Sequence, residues 1–265
     1  MLNTYRGCLI GAVLGDALGM PYETLPARRM ERYLPPAFGR AYRGHPNHNL
    51  LPGQYTDDGQ IILIAARNLA EGAFNGEEYA KELLRTHALN KFRYPDGVLF
   101  AACKRMDSSG NLRESGVNSE SAGCLSLAVP FALAFRNRRE MAQALIPACS
   151  ITHTHPASHA AALGLALMLN TLLETHDVDA AFAALDSAAQ NMDAELFTRL
   201  QTEHLVGIGA LQNGAQSRRD LLLFLESSVL DSIPKLVDNL RGSIYTDITH
   251  NKNFFQFFIE VLVNG

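Results

Sequence analysis

A hydroxyl and two adjacent carboxylates stand together at Thr56-Asp57-Asp58, within the stretch Leu51-Pro52-Gly53-Gln54-Tyr55-Thr56-Asp57-Asp58-Gly59-Gln60. The apolar run Ile61 to Ala66 follows at once. Thr or Asp at such a place can cap a helix, and the positive end of the helix dipole favours ionised carboxylates. The same oxygens suit a hard cation such as Mg²⁺. Taken alone, an acidic helix cap is the simpler reading, because it needs nothing beyond these side-chain types.

Two further places carry chemistry. Gly15-Asp16-Ala17-Leu18-Gly19-Met20-Pro21-Tyr22-Glu23 sets Asp16 inside an apolar helical run and Glu23 in the loop after Pro21. A carboxylate among apolar residues needs a partner, a metal or a proton. Ser150-Ile151-Thr152-His153-Thr154-His155-Pro156 places two histidines just before an Ala-rich helix. Imidazole N–H groups beside a helix N-terminus suit phosphate. The alternative is a capping Thr with incidental histidines. Neither a nearby Cys nor an HExxH pattern supports zinc.

The elements that must hold these residues read as helices. Cys8 to Met20 predicts a buried helix, lined by Gly7, Gly11 and Gly15 on one face, a pattern that permits close packing. Ile61 to Leu69 and Ala157 to Leu173 read as core helices, the latter with His159 and Asn170 as polar exceptions. Val178 to Ala189, Leu221 to Leu225 and Phe254 to Val263 add three more. Strict two-residue alternation is scarce, so strands should be few. Loops are marked by Pro35-Pro36, by Gly44 to Gly53 and by Asp107 to Gly123, the last long and rich in Ser, Gly and Asn. No repeat or linker divides the chain.

Composition narrows the class. The chain has 265 residues, 47% apolar and 19% charged, so it is globular and can bury a substantial core. A net charge of −4 argues against duplex nucleic acid as a partner. Cys8, Cys103, Cys124 and Cys149 form no CxxC pair, so neither a zinc site nor a disulfide framework is indicated. A reduced, cytoplasmic setting fits. The apolar run at the N-terminus is interrupted by Asp16 and is too short to span a bilayer, so no membrane association is expected. The oligomeric state is not encoded in any feature of the sequence.

In order, the segments Gly11 to Glu23, Gly53 to Asp58, Gly123 to Pro130 and Thr152 to Pro156 resemble the ADP-ribosylglycohydrolase family, across essentially the whole chain. That family includes the dinitrogenase-reductase-activating glycohydrolases and the ADP-ribosyl-acceptor hydrolases. The resemblance implies an all-α fold, a single compact orthogonal helical bundle over residues 1–265. It implies a centre of two Mg²⁺ ions, with Thr56, Asp57 and Asp58 as ligands. It implies hydrolysis of the bond between the anomeric ribose carbon of ADP-ribose and an acceptor, so the expected partner is an ADP-ribosylated protein or a related ADP-ribose conjugate. Asp57 and Asp58 then carry catalysis, and Glu23 matches the loop acid that approaches substrate. Gly123, His153, His155 and Asp96, in Tyr94-Pro95-Asp96-Gly97, are the remaining substrate-binding candidates.

This sequence departs from the family pattern in two places. The family carries a second acidic cluster, Gly-Asp-Thr-Asp-Thr, after an apolar helix near the C-terminus. Here the apolar segment Asn253 to Val263 is followed by Asn264-Gly265, which puts the second ion's ligands in question; Thr246-Asp247 reads as an ordinary turn. The family also has Asn where Ala122 stands and a Met-Arg pair at Ser126-Leu127, so arginine specificity is not carried over. The alternative expectation is a catalytically impaired relative that binds ADP-ribose or serves a structural role, with an incomplete metal site.

Overall fold

The computed structural model describes residues 2–22, 41, 44–46, 48–177, 179–181 and 183–184. Among these the chain is helical, as expected, with an isolated bridge between Val117 and His153 in place of any strand. The described residues up to Thr56 belong to one compact unit and those from Asp57 onward to another.

In the first unit, α1 spans Leu2–Gly19 and ends in a 3-10 turn, Met20–Tyr22, where Pro21 stops it. Val13, Leu14 and Ala17 are buried, so α1 buries one face rather than its whole surface. The glycine stripe does not serve close packing at Gly15: among the described residues, nothing lies within 4 Å of a Cβ built there. Asp16 is satisfied by Thr56, whose backbone N–H and hydroxyl each donate to its carboxylate at 2.8 Å.

In the second unit, α2 (Asp57–Ala70) begins on the two acids and ends with Arg67 in its last turn, both favourable to the helix dipole. Helix α3 (Gly76–Ala88) starts at Asn75, whose side chain accepts from the N–H groups of Glu77 and Glu78 at 3.1 and 3.2 Å. Helix α4 (Gly97–Ser109) starts after Asp96 and closes on Gly110, at φ 70°. A 3-10 turn, Gly123–Leu127, leads into the short α5 (Ala128–Ala134). Helix α6 (Arg138–Ser150) is capped by Asn137, and α7 (Pro156–Thr175) by His155 with Pro156 at its first position.

Helix α7 packs on α5 and α6, and α2 packs on α5 and on the 3-10 turn before it. Their common core holds Tyr79, Leu83, Leu99, Met106, Leu127, Phe131, Met141 and Leu145, with Phe74 tilted against both Tyr79 and Phe131. By length and composition α7 is apolar enough to cross a membrane, yet its Ala162 and Ala166 are core residues here. Its polar exceptions each make hydrogen bonds, although the Asn170 Oδ1 has none among the described residues. The Asn170 amide donates to the carbonyls of Ala132 and Phe135 at the end of α5, and His159 Nε2 meets the His153 carbonyl at 2.6 Å. Residues 179–181 and 183–184 are helical within the expected Val178–Ala189 segment. Glu23, Pro35-Pro36, Leu221–Leu225, Thr246-Asp247 and Phe254–Val263 lie outside the described residues.

Candidate functional site

The second unit gathers three acids and a histidine from three separate segments. Asp57 and Asp58 open α2; Asp96 precedes α4; His153 lies between α6 and α7. Asp57 is only 5% exposed. Its N–H donates to the Arg93 carbonyl at 2.9 Å, and its Oδ2 accepts the Asp96 N–H at 2.9 Å. The start of α2 and the approach to α4 are therefore stitched together by the acid itself.

Asp96 turns its carboxylate the other way. The Ser121 hydroxyl donates to Oδ2 at 3.0 Å, and His153 Nε2 stands 3.4 Å from the same oxygen. His153 is 1% exposed, and its Nδ1 meets Thr152 Oγ1 at 2.9 Å. The contact between Nε2 and Asp96 is too poorly aligned for a hydrogen bond, so Nε2 is a buried polar atom with no hydrogen-bond partner among the described residues. Asp58 reaches a different neighbour, accepting from the Ser126 hydroxyl.

Electrostatics separate the three acids. Burial pushes the Asp57 carboxyl up to about 7; the Asp96 N–H works against this, while the charges of Asp58 and Asp96 add to it. Asp58 is also raised, first by the protein crowded around it and then by Asp96, against the lowering pull of Ser126; its outer side remains exposed. Burial would raise Asp96 as well, but His153, Ser121 and the Val98 N–H together outweigh it and hold that carboxyl below its ordinary value. Asp96 is thus the acid that stays ionised, beside two that resist ionisation.

The Ser-rich loop after Gly110 walls the site. Val117 exchanges backbone hydrogen bonds with Thr152 and Thr154 at 2.9 and 3.0 Å, and Gly116 passes so close that a Cβ there would sit 2.3 Å from the Ser150 carbonyl oxygen. Ser158, buried on the first turn of α7, directs its hydroxyl at the carbonyls of Ser119 and Ser121 (2.9 and 2.8 Å). Gly123 completes the wall. A Cβ on it would lie 2.9 Å from Asp96 Oδ2 and 3.2 Å from His153 Nε2, so only glycine lets that pair close.

His155 has a different place from His153. Its Nδ1 accepts the Ala157 N–H at 3.2 Å as the cap of α7, and its Nε2 is 3.5 Å from Glu120. The cap of α7 is therefore a histidine, and the capping Thr allowed by the sequence is not used. Thr56, in the first unit, binds Asp16 as described. Three hydroxyls escaped the sequence reading: Ser121, Ser126 and Ser158. Ser126 had drawn notice only as a departure from a family pattern. Leu127 beside it is 1% exposed in the core, where a charge would be costly.

The donor chemistry fits a hard cation. Asp57 and Asp58 are adjacent carboxylates that could offer oxygens to such an ion, and both are raised above the usual carboxylate range by burial. Among the described residues, however, no group of three or more His, Cys, Asp or Glu side chains is arranged to hold a metal ion.

Residues 1–254 match the family described as ADP-ribosylglycohydrolase. The chain belongs to the ADP-ribosylglycohydrolase family. It is 27% identical to ADP-ribosylhydrolase ARH3 of Danio rerio over 215 residues, 74% of this chain and 56% of that one. It is 24% identical to an uncharacterized protein of Archaeoglobus fulgidus over 171 residues, 64% of this chain and 55% of that one. The chain thus spans little more than half the length of these relatives. A solved structure titled ADP-ribosylglycohydrolase-related protein complex shares the fold, with a TM-score of 0.61 at 23% identity, covering 77% of this chain and 68% of that one.

Proposed function

We propose that this glycohydrolase-family chain is a Mg²⁺-dependent hydrolase that releases ADP-ribose from a modified protein side chain or a related ADP-ribose conjugate. The observation that carries the proposal is the convergence of Asp57, Asp96 and His153, joined through the Asp96 N–H and carboxylate, with Asp58 next to Asp57, in a chain of this family. Glycoside hydrolysis needs carboxylates of unlike character at one centre.

Asp57 and Asp58 would hold the ion, with Thr56 as the hydroxyl that the family resemblance adds. When bound, the ion would clamp ribose hydroxyls and lower the pKa of a coordinated water. The chain's own residues do the rest. Asp96, kept ionised by Ser121 and His153, faces positive charge developing at the anomeric carbon and can accept a proton at Oδ2. His153 Nε2, buried and 3.4 Å from Asp96 Oδ2 without a well-aligned hydrogen bond, is placed to hydrogen-bond the sugar or its phosphates. Gly123 leaves room for that contact. The Ser158 hydroxyl holds the Ser119 and Ser121 carbonyls and so fixes the loop that carries Ser121.

A second reading is a relative that binds ADP-ribose without turnover. It is favoured by the missing three-ligand group among the described residues. One assay separates the two: release of ADP-ribose from an ADP-ribosylated peptide, with Mg²⁺ or with EDTA. Hydrolysis that needs Mg²⁺ and disappears in Asp58→Asn supports the hydrolase. Tight ADP-ribose binding with no release at saturating Mg²⁺ supports the second reading.

A further inference from the structure

Thr152 lies just past the end of α6, beside His153, and is 4% exposed. Its hydroxyl has a single proton to give. Two acceptors are in reach: the Cys149 carbonyl at 3.5 Å and His153 Nδ1 at 2.9 Å. The carbonyl is already occupied. Its two lone pairs accept the N–H of Thr152 at 3.1 Å and the N–H of His153 at 2.8 Å. The hydroxyl proton therefore goes to Nδ1, over the shorter contact.

A ring nitrogen that accepts a hydrogen bond carries no proton of its own, so the proton of the His153 ring sits on Nε2. The other side of the ring gives the same answer independently. Nε2 is 3.4 Å from Asp96 Oδ2, and the Ser121 hydroxyl donates to that same oxygen at 3.0 Å, so Oδ2 acts as an acceptor. A bare Nε2 would set its lone pair against a carboxylate oxygen; an N–H there does not.

The donor so placed is left open. The approach to Asp96 is misaligned, and Nε2 has no hydrogen-bond partner among the described residues although His153 is only 1% exposed. Its surroundings are otherwise tightly tied. The His153 N–H is held by Cys149 and its carbonyl by His159 Nε2 at 2.6 Å, while the Thr152 carbonyl accepts the Val117 N–H at 2.9 Å. Buried donors are nearly always paired, so one kept open beside three acids in so well satisfied a segment points to a ligand oxygen.

We propose that Thr152 is a positioning residue: its hydroxyl locks His153 with the proton on Nε2, so that the ring gives a hydrogen bond to an oxygen of bound ADP-ribose and does not serve as a base. The identity of the ligand rests on the function proposed above; the place of the proton does not.

The test is nitrogen–proton correlation NMR of the histidine rings in the isotope-labelled full chain, with ADP-ribose as the probe. His153→Gln assigns the ring signals by their loss. In the parent, Nε2 is expected as the protonated, pyrrole-type nitrogen and Nδ1 as a bare, hydrogen-bonded, pyridine-type nitrogen. The Nε2–H signal moves when ADP-ribose is added. Thr152→Val removes the hydroxyl and keeps the branch at Cβ. Its Nδ1 signal should move to that of an unbonded pyridine-type nitrogen, and ADP-ribose should bind about fivefold more weakly, the effect of one hydrogen bond. Thr152→Ser restores the hydroxyl, and with it the parent's Nδ1 signal and an affinity within about twofold of the parent's. A parent with the proton on Nδ1, or with both nitrogens protonated, overturns the proposal without any variant having to fold. So does a Thr152→Val protein with the parent's Nδ1 signal, or a Thr152→Ser protein that behaves as the valine variant does. ADP-ribose that binds without moving the Nε2–H signal overturns the donor role and leaves the proposed function standing. A parent that binds no ADP-ribose overturns the proposed function and the donor role together, and the ring signals still decide where the proton sits.

Discussion

Replacing Asp57 by Asn should make the metal-free protein more stable, and the gain should depend on pH. Asp57 is buried, and its carboxyl is raised from 3.8 to about 7. The folded protein therefore holds this proton more tightly than the unfolded chain does. Between about pH 4 and about pH 7 the folded state carries more protons, so stability falls as pH rises through that window. Below it the penalty is absent; above it the penalty is complete. A displacement of about three pKa units corresponds to about 4 kcal/mol. The Asn variant has no charge to bury. It gives up an acid in the first turn of α2, a loss of about 0.3–1 kcal/mol. Its amide oxygen can still accept the Asp96 N–H. The net expectation above neutrality is about 3–4 kcal/mol in favour of the variant, or about 6–15 °C in melting temperature. The assay is thermal unfolding of the full chain followed by circular dichroism, in EDTA, from about pH 4 to about pH 8. The two proteins should coincide at the acid end and diverge steadily toward the alkaline end. A parent as stable as the variant at about pH 8 would refute the buried-charge reasoning.

Three other outcomes follow from single contacts. Ser126→Ala removes the hydroxyl that lowers Asp58, so Mg²⁺ affinity measured by calorimetry should fall about fivefold, the equivalent of one hydrogen bond of about 1 kcal/mol. Gly123→Ala drives a methyl group against Asp96 and His153; ADP-ribose release should drop by about tenfold to a hundredfold, while the helical dichroism stays that of the parent. Ser158→Ala leaves the Ser119 and Ser121 carbonyls without their shared donor, so limited proteolysis should cut faster between residues 110 and 122, and the melting temperature should fall by about 2–6 °C.

Helices and acids were legible in the sequence for different reasons. The apolar runs at 61–69 and 157–173 carry their own periodicity, and both are helical in the structure. Thr56-Asp57-Asp58 and the two histidines are dense local clusters of reactive side chains, visible without any tertiary knowledge. The hydroxyls that set their electrostatics are not local. Ser126 meets Asp58 across 68 residues, Asp96 meets Asp57 across 39, and Ser121 meets Asp96 across 25. Serine is common in loops, so nothing in its spacing marks these positions. The cap of α7 shows a further limit. Thr is the commoner capping residue, yet the Val117 bridge takes up the Thr154 N–H, and the helix starts on His155.

Anomalous scattering from a crystal soaked in Mn²⁺, as a stand-in for Mg²⁺, together with ADP-ribose addresses the metal directly. The expected result is a peak bonded to carboxylate oxygens of Asp57 and Asp58, with the ribose beside it and His153 Nε2 within hydrogen-bonding distance of the ligand. A crystal in which ADP-ribose is bound but no peak lies at those acids, with Asp57 still holding only the Asp96 N–H, would contradict the account.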